Sequence, residues 1–294
     1  MIVTLTLNPS LDRTLEVALL EPGKVLRATA VHVDPGGKGV NVTRALLANG
    51  FDSCAVLPCG GPAGLELVRM LEAESVRVVA VPTENPTRSN ITLVDRSDGT
   101  VTKINEPGGA LTDREYAAVS AAVLEHVHTA DWVVLCGSLP PGLPEDTYAE
   151  LARRFSAAGA SVAVDTSGPA LRASLAAAPD LVKPNREELA EAVGREVPDP
   201  QSVVKAADEL LALGAGAVLV SLGAEGAVLV DASGSRMVRG PRVTARSTVG
   251  AGDALLAGFL SAGEAGREGW RGSDRANFDG RGEVLRLAQG RRDP

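Results

Sequence analysis

The chain has 294 residues, of which 45% are hydrophobic and 22% are charged, and this balance excludes a wholly disordered protein. Lys and Arg number 29 against 37 Asp and Glu, which gives a net charge of −8 at pH 7. That charge and the 3% aromatic content exclude a broad basic face and a base-stacking platform, so no nucleic-acid partner is expected.

The first residues of the chain and its cysteines indicate in which cellular compartment the protein is expected. Residues 2–7 alternate without a basic region before them, which predicts a strand rather than a signal peptide. The sequence has no run of 18 apolar residues, so no membrane span is predicted. Cys54, Cys59 and Cys136 have neither disulfide nor zinc spacing, and we expect buried thiols in a reducing cytoplasm.

Strand-like and helix-like segments alternate along most of the chain. The predicted strands are 2–7, 53–57, 76–81, 132–136, 161–165, 181–183, 217–221 and 227–230. The predicted helices are 41–49, 63–74, 112–126, 145–158, 203–213 and 254–260, and Thr112 with Glu115 has the pattern of a capping box. This alternation predicts an α/β fold, a three-layer α/β/α sandwich around a mainly parallel sheet.

Two stretches depart from this alternation. Residues 25–34 resemble a strand with no helix before it, and 90–95 with 101–105 resemble a hairpin that turns at 97–99. We expect lid strands at about 12–34 and 88–106, in a small β-sheet over the carboxyl ends of the main strands. The alternative is that they are edge strands of the main sheet.

The last 32 residues have a different composition. Residues 263–294 contain seven Gly and seven Arg and have little apolar periodicity. We therefore expect one domain over 1–262, followed by an irregular Gly/Arg-rich tail.

The motif at 247–253, Ser-Thr-Val-Gly-Ala-Gly-Asp, precedes an apolar helix. Gly250, Ala251 and Gly252 leave backbone N–H groups open at the start of that helix, where anions bind. Asp253, next to such an anion, is expected to have a low pKa and to accept a proton from a hydroxyl held against it. This arrangement predicts phosphoryl transfer. The alternative is a helix-terminal charge behind a glycine turn.

Other loops also follow predicted strands. In the loop at 35–41, glycines would let a polyol approach bare backbone, and Asn41 offers a donor and an acceptor; a plain turn is the alternative. Asp12 could hold sugar hydroxyls or be a turn residue. Lys24, Arg27 and Arg88 lie in or near the lid strands, where they could bind a substrate phosphate or be solvated charges.

The second half of the chain has similar loops. Asn185 and Glu188 could order a hydrated Mg²⁺, or they could be an N-cap pair. Ser221 and the glycines after it suit a phosphate or a ribose. Six such loops follow predicted strands, so we expect them on one face of the sheet.

The sequence resembles the ribokinase/PfkB family of sugar kinases. The resemblance rests first on the segments 35–45 (PGGKGVNVTRA) and 247–259 (STVGAGDALLAGF). Further matching segments are 8–12, 87–90, 137–142, 165–168, 183–189 and 221–227, so that it extends over about residues 1–262. Lys38, Arg88 and the segment 104–109 favour the phosphosugar branch, which includes 1-phosphofructokinases and tagatose-6-phosphate kinases.

The resemblance implies a fold of ribokinase type and a role for each matching residue. It implies a catalytic base at Asp253 and an anion hole at Gly250, Ala251 and Gly252. It implies sugar contacts at Asp12, Gly36, Gly37 and Asn41, and phosphate contacts at Lys38 and Arg88, with Lys24, Arg27 and Ser138 as further candidates. It implies ATP contacts at Lys183, Asn185, Ser221, Gly223 and Gly226, and Mg²⁺ held through water at Asn185 and Glu188.

The activity that the resemblance implies is ATP-dependent phosphorylation of a ketohexose phosphate, with Mg²⁺. Fructose 1-phosphate is the expected acceptor, and tagatose 6-phosphate is the alternative. A further alternative is a catalytically impaired sugar-phosphate-binding protein, because the tail at 263–294 departs from the family pattern beside the adenine. Pairing through the lid sheets, which is common in the family, implies a homodimer.

Overall fold

The computed structural model describes residues 1–127, 132–240 and 250–265. Its strands are β1 (Ile2–Thr6), β2 (Ser10–Val17), β3 (Ala30–Gly36), β4 (Ser53–Cys59), β5 (Arg77–Pro82), β6 (Arg88–Asp95), β7 (Val101–Ile104), β8 (Trp132–Cys136), β9 (Ser161–Asp165), β10 (Leu181–Val182), β11 (Ala217–Ser221), β12 (Ala227–Asp231) and β13 (Gly234–Val238). Its helices are α1 (Lys38–Ala48), α2 (Gly61–Ala73), α3 (Asp113–His126), α4 (Thr147–Ala157), α5 (Gly168–Ser174), α6 (Arg186–Val193), α7 (Pro200–Ala212) and α8 (Ala251–Ala265).

The larger sheet within these residues has the order β13-β12-β11-β10-β9-β8-β1-β4-β5. Pairing is parallel from β5 across to β11, and β12 and β13 are antiparallel to their neighbours. β1, β8 and β9 are buried along their whole length, as expected for parallel strands covered on both faces. Because these three strands are neighbours, the loops after their carboxyl ends lie side by side.

Helices cover both faces of this sheet. On one face, side chains such as Val133 and Leu135 of β8 join a core with residues of α3 to α7. On the other face, Trp132 and Val134 pack with residues of α1 and α8, and these two helices also pack on each other. α2 packs beside β4 and β5. The three-layer α/β/α architecture predicted from the alternation of elements is confirmed.

The smaller sheet has the order β3-β2-β6-β7 and is separate from the main sheet, so the edge-strand alternative is wrong. Asp12 pairs with Asp34 and Asn90, so these polar residues share one face, and Leu11 packs against α1 and α2 from the other. The strand predicted from residue 25 begins only at Ala30.

Several elements differ from their prediction. α5 and β13 were not predicted, because α5 has only seven residues and β13 is mostly polar. The capping box at Thr112 is confirmed by its hydrogen bonds with Glu115. Of the described helices, none combines the length and the apolar character that a membrane span requires. Residues 247–249 of the glycine motif and 266–294 of the predicted tail lie outside the described residues.

Candidate active site

The described part of the glycine motif, Gly250 to Asp253, leads into α8. Gly250 precedes the helix with a φ of 79°, a left-handed conformation that favours glycine, and Asp253 lies in the first turn. Asn41 Nδ2 donates to Asp253 Oδ2 at 2.8 Å, so the first turns of α1 and α8 meet at this carboxylate. The structure thus brings Asn41, a predicted sugar contact, together with Gly250 and Asp253 of the predicted anion hole and base.

The ionisation of Asp253 differs from the sequence expectation. Its side chain is buried, and burial together with the negative charge of Asp165 raises its pKa to about 6. The hydrogen bond from Asn41 and the charges of Lys183 and Lys38 act in the opposite direction. The expectation of a low pKa is therefore wrong, because it counted the helix N-terminus but not the loss of water or the second carboxylate.

Asp165 is the centre of a buried ion cluster. Its Oδ1 accepts from Lys38 Nζ at 2.8 Å, and Lys183 Nζ lies 3.1 Å from its Oδ2. Lys38 Nζ also donates to Glu188 Oε1 at 2.9 Å. Burial opposes the positive charge of Lys38, but the two carboxylates outweigh it and raise its pKa. The structure therefore directs the Lys38 ammonium at two carboxylates, although the sequence predicted that it would face the substrate phosphate.

Lys183 connects this cluster to the start of α8. Its side chain is only 3% exposed, and a Cβ built on Gly252 would lie 3.4 Å from its Nζ and 3.9 Å from Ser221 Oγ. Lys183 and Ser221 thus stand beside the backbone N–H groups of the predicted anion hole. This grouping places one ammonium and one hydroxyl beside the start of α8, next to its unpaired backbone N–H groups.

Asn185 and Glu188 form a capping box at the start of α6. Asn185 Oδ1 accepts from Glu188 N at 2.7 Å, and Glu188 Oε2 accepts from Asn185 N at 2.8 Å. This is the N-cap pair that the sequence left as the alternative to a Mg²⁺ site. Across the described residues, no three His, Cys, Asp or Glu side chains group in a way that could hold a metal ion.

The predicted sugar site lies where the small sheet meets the loop before α1. Asp12 Oδ1 accepts from Ser10 Oγ at 2.7 Å and from Asn90 Nδ2 at 2.9 Å. A Cβ on Gly36 would overlap the side chains of Ser10 and Asp12, so this position requires glycine. Gly37, with a φ of 122°, is the N-cap of α1. The structure brings Asp12, Gly36 and Gly37 together, as predicted.

Arg88 holds two loops beside this site. Its guanidinium donates to the carbonyl oxygens of Glu106 and Asn8, both at 3.0 Å. Burial lowers its pKa, while Asp12 and Glu106 act to raise it. Ser138 Oγ accepts from Asn8 Nδ2 at 3.3 Å, which joins the loop after β8 to the same region.

The remaining predicted residues are less closely grouped. Lys24 and Arg27 are exposed on the connection between β2 and β3. Gly223 begins a 3₁₀ turn between β11 and β12. A Cβ on Gly226 would overlap the carbonyl oxygen of Val238, so packing of β13 accounts for this glycine. The structure gives Gly226 this packing role, and its nucleotide contact stays a prediction.

Sequence reasoning assigned no role to Asp165 or Asn90, although both are central to the geometry. Asp165 ends a buried apolar strand with a charge, and this signal could have identified it. Asn90 is the cross-strand partner of Asp12, and this relation depends on a strand register that the sequence does not reveal.

Comparison with known proteins identifies the family. The chain is 41% identical over 262 residues to a 1-phosphofructokinase of Rhodobacter capsulatus, with 89% of this chain and 83% of that protein covered. It is 40% identical over 257 residues to an ATP-dependent 6-phosphofructokinase isozyme 2 of Escherichia coli K12, covering 87% of this chain and 83% of that protein.

A solved structure and a family match agree with these relatives. The tetrameric inhibited form of phosphofructokinase-2 from Escherichia coli superposes with a TM-score of 0.85 at 38% identity, covering 92% of this chain and 88% of that one. Residues 5–271 match the family described as pfkB family carbohydrate kinase. The chain therefore belongs to the pfkB family of carbohydrate kinases.

Proposed function

We propose that this protein transfers the γ-phosphoryl group of ATP to fructose 1-phosphate, which yields fructose 1,6-bisphosphate and ADP. The observation that carries the proposal is the Asp253 carboxylate, held by Asn41 at the start of α8 beside Lys183. A carboxylate with a pKa of about 6 is mostly ionised at neutral pH and still basic enough to accept a hydroxyl proton. The relatives named 1-phosphofructokinase support the choice of acceptor.

The transfer needs one proton acceptor and no covalent enzyme intermediate. Asp253 takes the proton of the sugar hydroxyl while that oxygen forms a bond to the γ-phosphorus. The bond between the γ-phosphorus and the bridging oxygen of ADP breaks at the same time. Backbone N–H groups at Gly250, Ala251 and Gly252, together with the Lys183 ammonium, stabilise the charge on the transferring group.

The expected Mg²⁺ fits this site as an ion carried by ATP. Both oxygens of Glu188 already accept hydrogen bonds, from Lys38 and from the Asn185 backbone, so direct coordination by a protein cage is not supported. The Glu188 side chain is 14% exposed, so it would contact the ion through water. Mg²⁺ usually keeps several waters and binds substrate phosphates, and it would neutralise the phosphate charge during transfer.

The sugar phosphate would bind between the small sheet and the loop before α1. Asp12 would accept from sugar hydroxyls through its second oxygen, because Oδ1 is already bonded to Ser10 and Asn90. Arg88 and Ser138, which both contact Asn8 beside this site, would bind the phosphate. Lys24 and Arg27 would join them only if their exposed connection moves over the site. The nucleotide would lie along Lys183, Ser221 and Gly223.

Fructose 6-phosphate is a second candidate acceptor. The relative named 6-phosphofructokinase is 40% identical, nearly the same as the relatives named 1-phosphofructokinase. Phosphorylation of either acceptor gives fructose 1,6-bisphosphate. The product therefore does not identify the acceptor, and each acceptor must be supplied separately. The named relatives favour fructose phosphates over tagatose 6-phosphate.

The small sheet is also the proposed interface of a homodimer. Val31 of β3 and Ile104 of β7 are 53% and 52% exposed. The register places both on one face with Leu15 and Ile91. An apolar face of this kind on a sheet that stands off the core is suited to a second copy of the same sheet. The phosphofructokinase-2 structure is tetrameric, which supports an oligomer.

The decisive experiment is ADP release with MgATP and one of four additions: fructose 1-phosphate, fructose 6-phosphate, tagatose 6-phosphate or no acceptor. We expect the highest kcat/KM with fructose 1-phosphate, no release without Mg²⁺, and a loss on the order of 10³-fold in Asp253→Ala. Asp208→Ala, at an exposed position of α7, is the matched control. A folded protein that releases no ADP with any acceptor would contradict the proposal and favour the binding-only alternative.

A further inference from the structure

We propose that Lys38 is a positioning residue that ties the first turn of α1 to Asp165 and Glu188, and thereby fixes the pair formed by Asn41 and Asp253. The inference rests on the proposed function. It assigns Lys38 to the alignment of the catalytic base and not to the binding of the substrate phosphate.

The ammonium group of Lys38 is already bound by two carboxylates. Lys38 Nζ lies 2.8 Å from Asp165 Oδ1 and 2.9 Å from Glu188 Oε1, within reach of two charge-assisted hydrogen bonds. The Asp165 side chain is fully buried, and that of Glu188 is 14% exposed. If Lys38 turned to bind a substrate phosphate, Asp165 and Glu188 would lose one of their positive partners. Because these carboxylates are buried, losing that partner would be unfavourable.

The position of Lys38 in α1 makes its charge dependent on these carboxylates. Lys38 is the first residue of α1, and no acidic residue occupies the first turn of that helix. A cation at a helix N-terminus is unfavourable toward the helix dipole. The two carboxylates, which come from the end of β9 and the start of α6, offset that effect. The ion cluster therefore has to remain intact for the first turn of α1 to stay in place.

The link to the reaction is the spacing of Lys38 and Asn41. They lie three residues apart on α1, so both side chains leave the same side of its first turn. One reaches the Asp165–Glu188 pair, and the other donates to Asp253. If the first turn shifts, Asn41 moves away from the catalytic carboxylate. The proposed sugar contacts outside α1 are held separately, Asp12 by Ser10 and Asn90 and Gly36 by its strand pairing with Ser10, so they remain.

The test is Lys38→Met, with Lys38→Arg and the exposed Lys205→Met as matched variants. Misalignment of a catalytic group by about 1 Å lowers rates by on the order of 10²-fold. We expect a loss of roughly that size in the kcat of Lys38→Met, a KM for fructose 1-phosphate within about threefold of the parent, and partial recovery in Lys38→Arg. A lysine that bound the phosphate would instead raise KM by about tenfold or more while kcat stayed high.

A second measurement does not depend on catalysis. The Asn41 backbone N–H donates to Gly37 O at 3.0 Å and reports the order of the first turn. Hydrogen exchange followed by mass spectrometry should show faster exchange in peptides that cover residues 38–46 of Lys38→Met, and unchanged exchange there in Lys205→Met. Unchanged exchange in Lys38→Met, or a rise in KM alone, would overturn the proposal. If the parent protein transfers phosphate to no acceptor, the proposed function fails, while the exchange result still decides whether Lys38 holds this turn.

Discussion

Asn41 Nδ2 and Asp253 Oδ2 lie 2.8 Å apart although the two residues are separated by 212 positions in the sequence. The contact joins α1, which follows the glycine loop of the proposed sugar site, to α8, which begins at the proposed anion hole. Since the hydrogen bond stabilises the charged carboxylate, it opposes the burial that raises the pKa of Asp253. Asn41 therefore adjusts both the position and the basicity of the carboxylate that we propose as the catalytic base.

The first prediction concerns the pH dependence of the reaction. Asp253 must be ionised to act as a base, so kcat should fall as pH drops through about 6. In Asn41→Ala the carboxylate loses a stabilising hydrogen bond, its pKa rises, and the acid limb should move to higher pH. A profile of kcat from pH 5 to 8 measures the shift. The substrate phosphates also titrate near pH 6. Because they are common to both proteins, an identical acid limb in the two would contradict the assignment.

A second prediction concerns stability. The folded pKa of Asp253 is about 6, above the ordinary value of 3.8. The folded state therefore holds this proton more tightly, and Asp253 makes folding less favourable as pH rises from about 3.8 to 6. Asp253→Asn should abolish transfer yet raise the free energy of unfolding at pH 7, by up to about 3 kcal/mol at 1.36 kcal/mol per pKa unit. Urea unfolding at pH 7 and at pH 4 measures this gain, which should shrink at the lower pH; a variant less stable than the parent at pH 7 would contradict it.

A third prediction separates binding from transfer. In Gly36→Ala the new methyl group would overlap Ser10 and Asp12, so Asp12 must turn away from its position. We expect the KM for the sugar phosphate to rise by about tenfold or more, with a smaller change in the KM for ATP. Asp208→Ala, at an exposed position of α7, is the control. Equal effects on both substrates would argue against a sugar site at Gly36.

A fourth prediction tests the homodimer. Ile104→Lys places a charge on the exposed apolar face of the small sheet, where it would have to be desolvated in a dimer. Sedimentation velocity should show a parent dimer or larger oligomer and a variant shifted toward monomer. Leu213→Lys is a fair control, because Leu213 is 49% exposed and lies at the end of α7. If both variants keep the mass of the parent, the interface lies elsewhere.

The sequence predicted much of the fold because the buried strands are short apolar runs bounded by turn residues. The bounds of β8, β9 and β11 match the predicted segments, and polar loops follow these strands as expected. The sequence did not predict which charged side chains contact one another in the site. Lys38 reaches Asp165 only because β9, β8 and β1 are neighbours, and the sequence pattern carries no information on strand order. The raised pKa of Asp253 depends on the same strand order, because Asp165 at the end of β9 is one of its causes.

The late position of α8 has a consequence for synthesis of the protein. Most of the proposed sugar side of the site comes from residues before about 110. Ser138, Lys183 and Ser221 follow, and Asp253 comes after all of these. Domains fold as units while the chain emerges from the N-terminus. A nascent chain that ends before α8 would lack the proton acceptor together with the helix that covers α1. Truncation before α8 is therefore expected to abolish transfer completely and not to leave a partly active kinase.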